Sequence, residues 1–246
     1  MENKIILNDK DKDFSIYTIA DLHLSLNEIT QKPMDLFGSA WINHVQILEE
    51  NWKRTVKDND LVIIPGDISW SMTLIEADVD LSWIDSLPGK KVIFKGNHDL
   101  WWSSIKKMNT LYETIYFMQN DIFVYGDIAV CGTRGWICDG SDKFKEEDTK
   151  IYKREILRLE MSLNKAKDSK MDIKEIIGFL HYPPTNERRE PSGFTDLFDK
   201  YGIERVFYGH LHGKDAKRNK DAFVIGNTVY KLVSLDALSC HLLKIK

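Results

Sequence analysis

The chain predicts an α/β fold. Short apolar runs rich in β-branched and aromatic residues, such as Leu61-Val62-Ile63-Ile64 and Lys91-Val92-Ile93-Phe94, read as buried strands. Between them lie longer stretches whose apolar residues recur at helical spacing, which is the strand–helix–strand pattern. The apolar runs also end in polar or glycyl clusters, and open α/β sheets carry their ligands at such strand ends.

Taken in order, Phe14 to Ala20 is a strand that runs into Asp21-Leu22-His23. Residues 24–40 form a loop punctuated by Pro33 and Gly38. Trp41, Val45, Leu48, Trp52 and Val56 mark an amphipathic helix over 41–57, with His44 expected on its surface. The Leu61–Ile64 strand ends in Pro65-Gly66-Asp67. A helix over 74–87 is closed by Pro88-Gly89, and the next strand ends in Gly96-Asn97-His98-Asp99. Trp101 to Thr114 reads as helix, and the runs 115–119, 121–125 and 127–131 as a meander. Residues 132–136 are loop, 139–148 a flexible charged excursion, and 151–167 a solvated outer helix. A strand over 173–180 ends in His181, followed by a loop over 185–193 and a short helix over 194–201. The strand 203–208 ends in Gly209-His210-Leu211-His212, and residues 221–245 finish the chain in antiparallel strands around Gly226-Asn227.

At 246 residues with 43% hydrophobic content, the chain is long enough to bury a substantial core, and it is read as one domain over 1–246. A net charge of −4 gives no general pull toward nucleic acid or anionic lipid. The three cysteines, Cys131, Cys138 and Cys240, suit neither a disulfide framework nor a metal finger. Met1 to Asp13 has no signal-peptide core, and no apolar run approaches the roughly 20 residues that span a bilayer. A cytoplasmic protein with reduced thiols and no membrane association is expected.

The strand ends carry the chemistry. In extended chain successive side chains alternate, so Asp21 and His23 share a face, as do His210 and His212. With Asp67, Asn97, His98 and His181 they form a mixed set of oxygen and nitrogen donors that converge if the strands lie side by side. Such a set suits Mn, Fe or Zn and suits calcium poorly. It exceeds what one tetrahedral ion needs, and fits two divalent transition ions about 3.5–4 Å apart sharing a carboxylate. Each motif alone is equally well read as a polar turn.

Asp-x-His, Gly-Asp, Gly-Asn-His-Asp, His and Gly-His-x-His, in this order from Asp21 to His212, resemble the calcineurin-like metallophosphoesterase superfamily. The resemblance implies a four-layer α-β-β-α sandwich of two mixed sheets flanked by helices. It implies that Asp21, His23, Asp67 and His212 hold one metal ion. Asp67, Asn97, His181 and His210 would hold the second, with Asp67 bridging. His98 is then the catalytic histidine that is not a ligand, and the reaction is hydrolysis of a phosphoester by a metal-activated hydroxide. Ser/Thr protein phosphatases of this superfamily carry Gly-Asp-x-x-Asp-Arg-Gly and Gly-Asn-His-Glu, whereas this chain has Gly66-Asp67-Ile68-Ser69-Trp70 and ends its tetrapeptide in Asp99. Purple acid phosphatases place a tyrosine where Trp70 stands. The pattern is closer to the bacterial-type phosphodiesterase and small-molecule phosphohydrolase branch.

The residues around the motifs leave alternatives. Trp70, Trp101, Trp102 and Trp136 either wall a cleft or fill the core. Arg134 either contacts a phosphate or lies on the surface, and Arg188 and Arg189 either gate the site or solvate a loop. Asp99 orients either a ligand or His98. Lys214, Lys217, Arg218 and Lys220 keep a nuclease in play, although the acidic net charge disfavours a long nucleic-acid groove. A non-catalytic scaffold that kept the fold is the remaining alternative.

Overall fold

The computed structural model describes residues 13–30 and 32–246. The Met1–Asp13 stretch read above for export signals therefore lies almost wholly outside the described residues.

Two mixed sheets face each other. The first joins β1 (Ile16–Thr18), β2 (Leu61–Pro65), β3 (Lys90–Phe94) and β4 (Ile115–Met118) in parallel, with β11 (Leu243–Lys244) antiparallel at the β1 edge. The second holds β6 (Ile128–Thr133), β7 (Glu175–Leu180), β8 (Arg205–Tyr208) and β10 (Thr228–Leu232) in parallel. Its edges are the antiparallel strands β5 (Ile122–Tyr125) and β9 (Phe223–Ile225).

Side-chain alternation sorts the apolar residues into three layers of core. Leu61, Ile63, Val92 and Phe94 of the first sheet meet Val130, Ile177, Phe179 and Phe207 of the second. Val62, Ile64, Ile93 and Phe117 point the other way, onto α1 (His44–Thr55) and α2 (Leu74–Ser86). Ala129, Cys131, Leu180 and Val206 pack instead against α4 (Asp148–Lys167) and α5 (Gly193–Lys200). The four-layer sandwich is thus a consequence of period-two strands that are apolar on both faces.

The helices start where local chemistry dictates. Thr73 caps α2 by accepting from the Glu76 N–H while Glu76 accepts from the Thr73 N–H. Ser192 and Thr195 make the same reciprocal pair at the start of α5. His44 opens α1 but is buried, its Nδ1 3.0 Å from the Trp41 carbonyl, and is not the surface residue expected.

Three segments depart from expectation. The run 115–131 is not a meander: β4 pairs with β3, and the chain then crosses to the second sheet, where only β5 and β6 form a hairpin. Alternation marks a strand but does not name its partner. Residues 101–114 are helical only over α3 (Ile105–Met108). Trp101 and Trp102 are instead drawn onto Phe117, and the Asn109 amide exchanges hydrogen bonds with the Phe117 backbone. The 139–148 stretch is anchored, with the Trp136 Nε1–H donating to Asp148 and Ser141 donating to Glu187. At the end of the chain, β10 continues β8 in parallel, while β9 and β11 supply the antiparallel pairings expected.

Phe179 is fully buried between the sheets, 6.0 Å from Phe94 of the opposite sheet and 5.6 Å from Phe207. Phe179→Ala is expected to lose about 3–5 kcal/mol of unfolding free energy with little change in the denaturant slope, as read by urea titration.

Candidate metal centre

The site forms where the carboxyl ends of β1, β2, β3, β7 and β8 come together. Asp21, His23 and His212 make one group of converging ligand atoms, and Asp67, His181 and His210 a second. Each group mixes the two sheets, since His212, His181 and His210 follow strands of the second sheet. Asn97 joins the second group, its Oδ1 lying 2.8 Å from His181 Nε2 and 2.9 Å from His210 Nδ1. Asp67 stands between the groups, with Oδ2 3.4 Å from His181 Nε2 and 3.9 Å from His23 Nε2.

The backbone is bent to achieve this. Asp21, His23, Asp67 and His210 have φ of 61°, 46°, 53° and 73°. Left-handed backbone at a residue with a Cβ costs on the order of 1–3 kcal/mol, so each turn has to be held by its surroundings. The Asp21 carboxylate accepts from the His210 N–H, and Asp67 Oδ1 accepts from the His98 N–H. Gly96 is required by crowding: a Cβ there would fall 2.0 Å from Asp67 Oδ1 and 2.2 Å from the Asp67 nitrogen.

Of the alternatives left by the sequence, the geometry favours orientation of a ligand, because Asp99 holds the Asp67 backbone and makes no hydrogen bond to the His98 ring. Fully buried, it accepts from the N–H groups of Asp67, Ile68, Ser69 and Gly96 and from the Trp101 Nε1–H, at 2.7–3.3 Å. It ties the Gly66–Ser69 loop to the Gly96–Asp99 loop.

Ring orientation comes from partners behind the imidazoles. His181 Nδ1 lies 3.1 Å from the Pro65 carbonyl, an acceptor, so this nitrogen carries the proton and Nε2 turns a lone pair to Asp67 and Asn97. His212 Nδ1 lies 3.0 Å from Asp236, which leaves Nε2 facing Asp21 at 3.7 Å and His23 Nε2 at 3.1 Å. Carboxylate support of this kind is usual behind metal-bound histidine. Nothing in the sequence pointed to Asp236, which lies 24 residues after His212 and outside every motif.

The donor set fits metal ions. Lone pairs face lone pairs at 2.8–3.9 Å, close to the roughly 3 Å that separates ligands bound about 2.0–2.2 Å from a common ion. The electrostatics agree. Burial would push the Asp67 carboxyl up, but the His181 charge holds it below the usual range. Burial would likewise lower His181, yet Asp67 and Asp21 raise it to about 9. His210 is pushed down to about 3, by burial and then by His181. Burial therefore keeps His23 and His210 neutral, whereas the buried carboxylates favour positive charge at His181 and His212.

His98 differs from the rest. Its ring belongs to neither ligand group and has no hydrogen-bond partner among the described residues. It packs against Trp70 at 4.3 Å, and burial lowers its pKa. Trp70 also stacks on His23, with centroids 4.7 Å apart and planes at 18°. Two aromatic neighbours escaped the sequence reading: Trp41, edge-on to His23 and His212, and Tyr182, 4.2 Å from His210. Their spacing in the chain marked them only as core or loop residues.

Other candidates lie elsewhere. Trp101 is core and donates to Asp99, and Trp136 packs on Tyr182. Arg134 pairs with Glu155 and, with Trp102, lines a different cavity. Arg188 pairs with Asp142 and Glu190 in an exposed loop, and Arg189 sits over Phe223. Cys131, Cys138 and Cys240 are buried free thiols. Among the described residues, no helix is long and apolar enough to cross a membrane.

Fold and site together define an α/β sandwich with two candidate metal-ligand groups where the strand ends of its two sheets meet. The chain belongs to the calcineurin-like phosphoesterase family, whose profile matches residues 14–214. This is a family of metal-dependent phosphoester hydrolases. No curated protein sequence matches the chain significantly. Among solved structures, it is similar to a protein of unknown function from Aquifex aeolicus at 15% identity and TM-score 0.51, over 94% of this chain and 96% of that one. A phosphopantetheinyl hydrolase from Mycobacterium tuberculosis aligns at 12% identity and TM-score 0.54, over 90% and 89% of the two chains. A Thermus thermophilus protein aligns at 11% identity and TM-score 0.57, over 93% and 96%. At these identities the likeness is one of fold.

Because Asp99 satisfies five buried donors, Asp99→Ala is expected to cost at least about 3 kcal/mol of stability and to lower metal content together with it. Asp99→Asn, which keeps one carbonyl acceptor, should fall between wild type and Asp99→Ala in urea unfolding.

Proposed function

We propose that this protein is a single metallophosphoesterase unit that hydrolyses a phosphodiester or a small-molecule phosphomonoester at a dinuclear centre. The observation that carries the reading is Asp67, whose carboxylate stands between two groups of converging imidazole and carboxylate donors. Asp21, His23, Asp67 and His212 would hold one divalent transition ion, Mn, Fe or Zn, and Asp67, Asn97, His181 and His210 the other. Two such ions supply a water activated near neutral pH and positive charge against the phosphoryl oxygens.

The chain's own residues supply the rest. His98 gives a proton to the leaving oxygen; in support, its ring makes no hydrogen bond among the described residues and lies outside both ligand groups. Burial lowers its pKa, so the protonated ring that serves as the acid is populated toward acidic pH. Trp70, stacked on His23 and against His98, holds both rings and walls the substrate side. Asp236 and the Pro65 carbonyl keep His212 and His181 in the tautomers that present Nε2. The name of the Mycobacterium tuberculosis neighbour makes phosphopantetheinyl compounds worth including in a substrate screen. The buried free thiols accord with a reducing, cytoplasmic setting.

Protein loaded with Mn²⁺ is expected to turn over bis(p-nitrophenyl) phosphate or p-nitrophenyl phosphate and to carry up to two ions per chain by elemental analysis. Asp67→Asn should lose metal and activity together; unchanged metal and turnover in this variant would remove the reading.

Leaving groups separate His98 from the ligands. General acid catalysis is worth roughly 10²–10⁴-fold, and an alkoxide needs the proton far more than a nitrophenolate does. His98→Ala should keep its metals, lose about that factor in kcat on an alkyl ester, and lose distinctly less on a nitrophenyl ester. His181→Ala should lose metal and both activities. Equal losses on the two esters in His98→Ala would replace the acid role with electrostatic stabilisation of the phosphoryl oxygens.

A further inference from the structure

A second cavity, of about 230 Å³, opens beside the metal-centre loops at the ends of β3, β4 and β6 and under α4. None of the eight residues assigned above to the metals or to proton transfer lines it. It contains Lys95, Arg134, Arg154 and Arg158 against one carboxylate, Glu155. Glu155 is fully buried and already saturated. Its Oε1 takes Arg158 at 2.8 Å, Arg154 at 3.3 Å and Arg134 at 3.6 Å, and its Oε2 accepts from the Thr133 hydroxyl at 2.6 Å. Three guanidinium groups share one oxygen, and no carboxylate among the described residues pairs with Lys95. The cavity wall therefore carries an excess of three positive charges.

The wall is also short of acceptors. Seven buried side-chain polar atoms lack a partner among the described residues, and three of them belong to residues that line this cavity: Trp102 Nε1, Arg134 Nε and the Asn120 amide oxygen. The first two are N–H donors, and the Asn120 amide rotates to present its NH₂ as readily as its oxygen. Buried donors without acceptors cost about 1–3 kcal/mol each, so their gathering in one place points to a ligand that accepts. The volume suffices for a tetrahedral oxyanion, since a water takes roughly 30 Å³ of the liquid. Forked guanidinium groups match phosphate oxygens better than they match a single carboxylate oxygen.

We propose that this cavity is an oxyanion site, distinct from the metal centre, that binds a phosphate-class dianion, either free inorganic phosphate or a phosphoryl group carried on an organic molecule. Arg134 and Trp102 are then anion-binding residues here rather than walls of the metal cleft. The inference does not rest on the catalytic reading, because it needs no metal.

Calorimetric titration of the metal-loaded protein with inorganic phosphate tests it. Lys95→Met and Arg154→Gln are each expected to weaken one class of phosphate binding by about 10- to 100-fold while leaving metal content unchanged. Lys95 has no carboxylate salt-bridge partner among the described residues and Arg154 is half exposed, so thermal unfolding in the absence of phosphate should barely move. Asp67→Asn should retain this same class even if it loses its metals. Displacement of phosphate from this class by phenylphosphonate identifies a carried phosphoryl group as a ligand, and failure to displace it identifies free phosphate. The proposal is overturned if no phosphate binding is sensitive to Lys95 and Arg154, or if all binding disappears with Asp67→Asn.

Discussion

The site depends on one buried carboxylate that touches none of the ligand side chains. Asp99 receives the N–H groups of Asp67, Ile68, Ser69 and Gly96, and so fastens two loops that would otherwise part at the ends of β2 and β3. Hydrogen bonds to a charged group contribute about 1.5–3 kcal/mol each, and the left-handed turn at Asp67 costs about 1–3. The two are of the same size, so the clamp can hold the turn. Asp67 and Asn97 are brought within one site by this means, and the absence of a Cβ at Gly96 lets the loops touch.

The second constraint is that neither ligand group belongs to one sheet. Asp21 and His23 need His212, and Asp67 needs His181 and His210, from across the sandwich. The inter-sheet layer around Phe94, Phe179 and Phe207 therefore does more than stabilise the fold, since it sets the distance between the two halves of the site. Parallel strands within each sheet matter equally. They point β1, β2, β3, β7 and β8 the same way, so five strand ends finish on one rim.

Around the donors the wall is aromatic. Trp41, Trp70 and Tyr182 pack on the imidazoles and keep them desolvated, which favours neutral rings and strengthens the pull of Asp21 and Asp67 on any cation. The neighbouring basic cavity has the opposite character, with positive charge in excess around a single spent carboxylate. The molecule thus sets a cation-seeking pocket beside an anion-seeking one, separated by the Lys95–Trp102 segment that contributes to both.

The sequence by itself determined what depends on neighbours along the chain. Strands and helices with strong periodicity, the order of polar strand ends and the family they resemble were all legible, because burial periodicity and turn chemistry are local. The ligand candidates Asp21, His23, Asp67, Asn97, His181, His210 and His212 could be named as well, since each directly follows an apolar run. Tertiary structure alone decided what requires two distant segments to meet. It sent β4 to β3 rather than into a meander, drew Trp101 and Trp102 out of a helix, and buried His44 beneath Trp41. It gave Asp99 the backbone of another loop to hold and set Asp236 behind His212. It also placed Arg134 and Trp102 in a separate cavity. Which of several suitable partners a side chain meets is fixed by packing across the sheets, and a carboxylate or an indole is the same residue in the sequence whichever partner it finds.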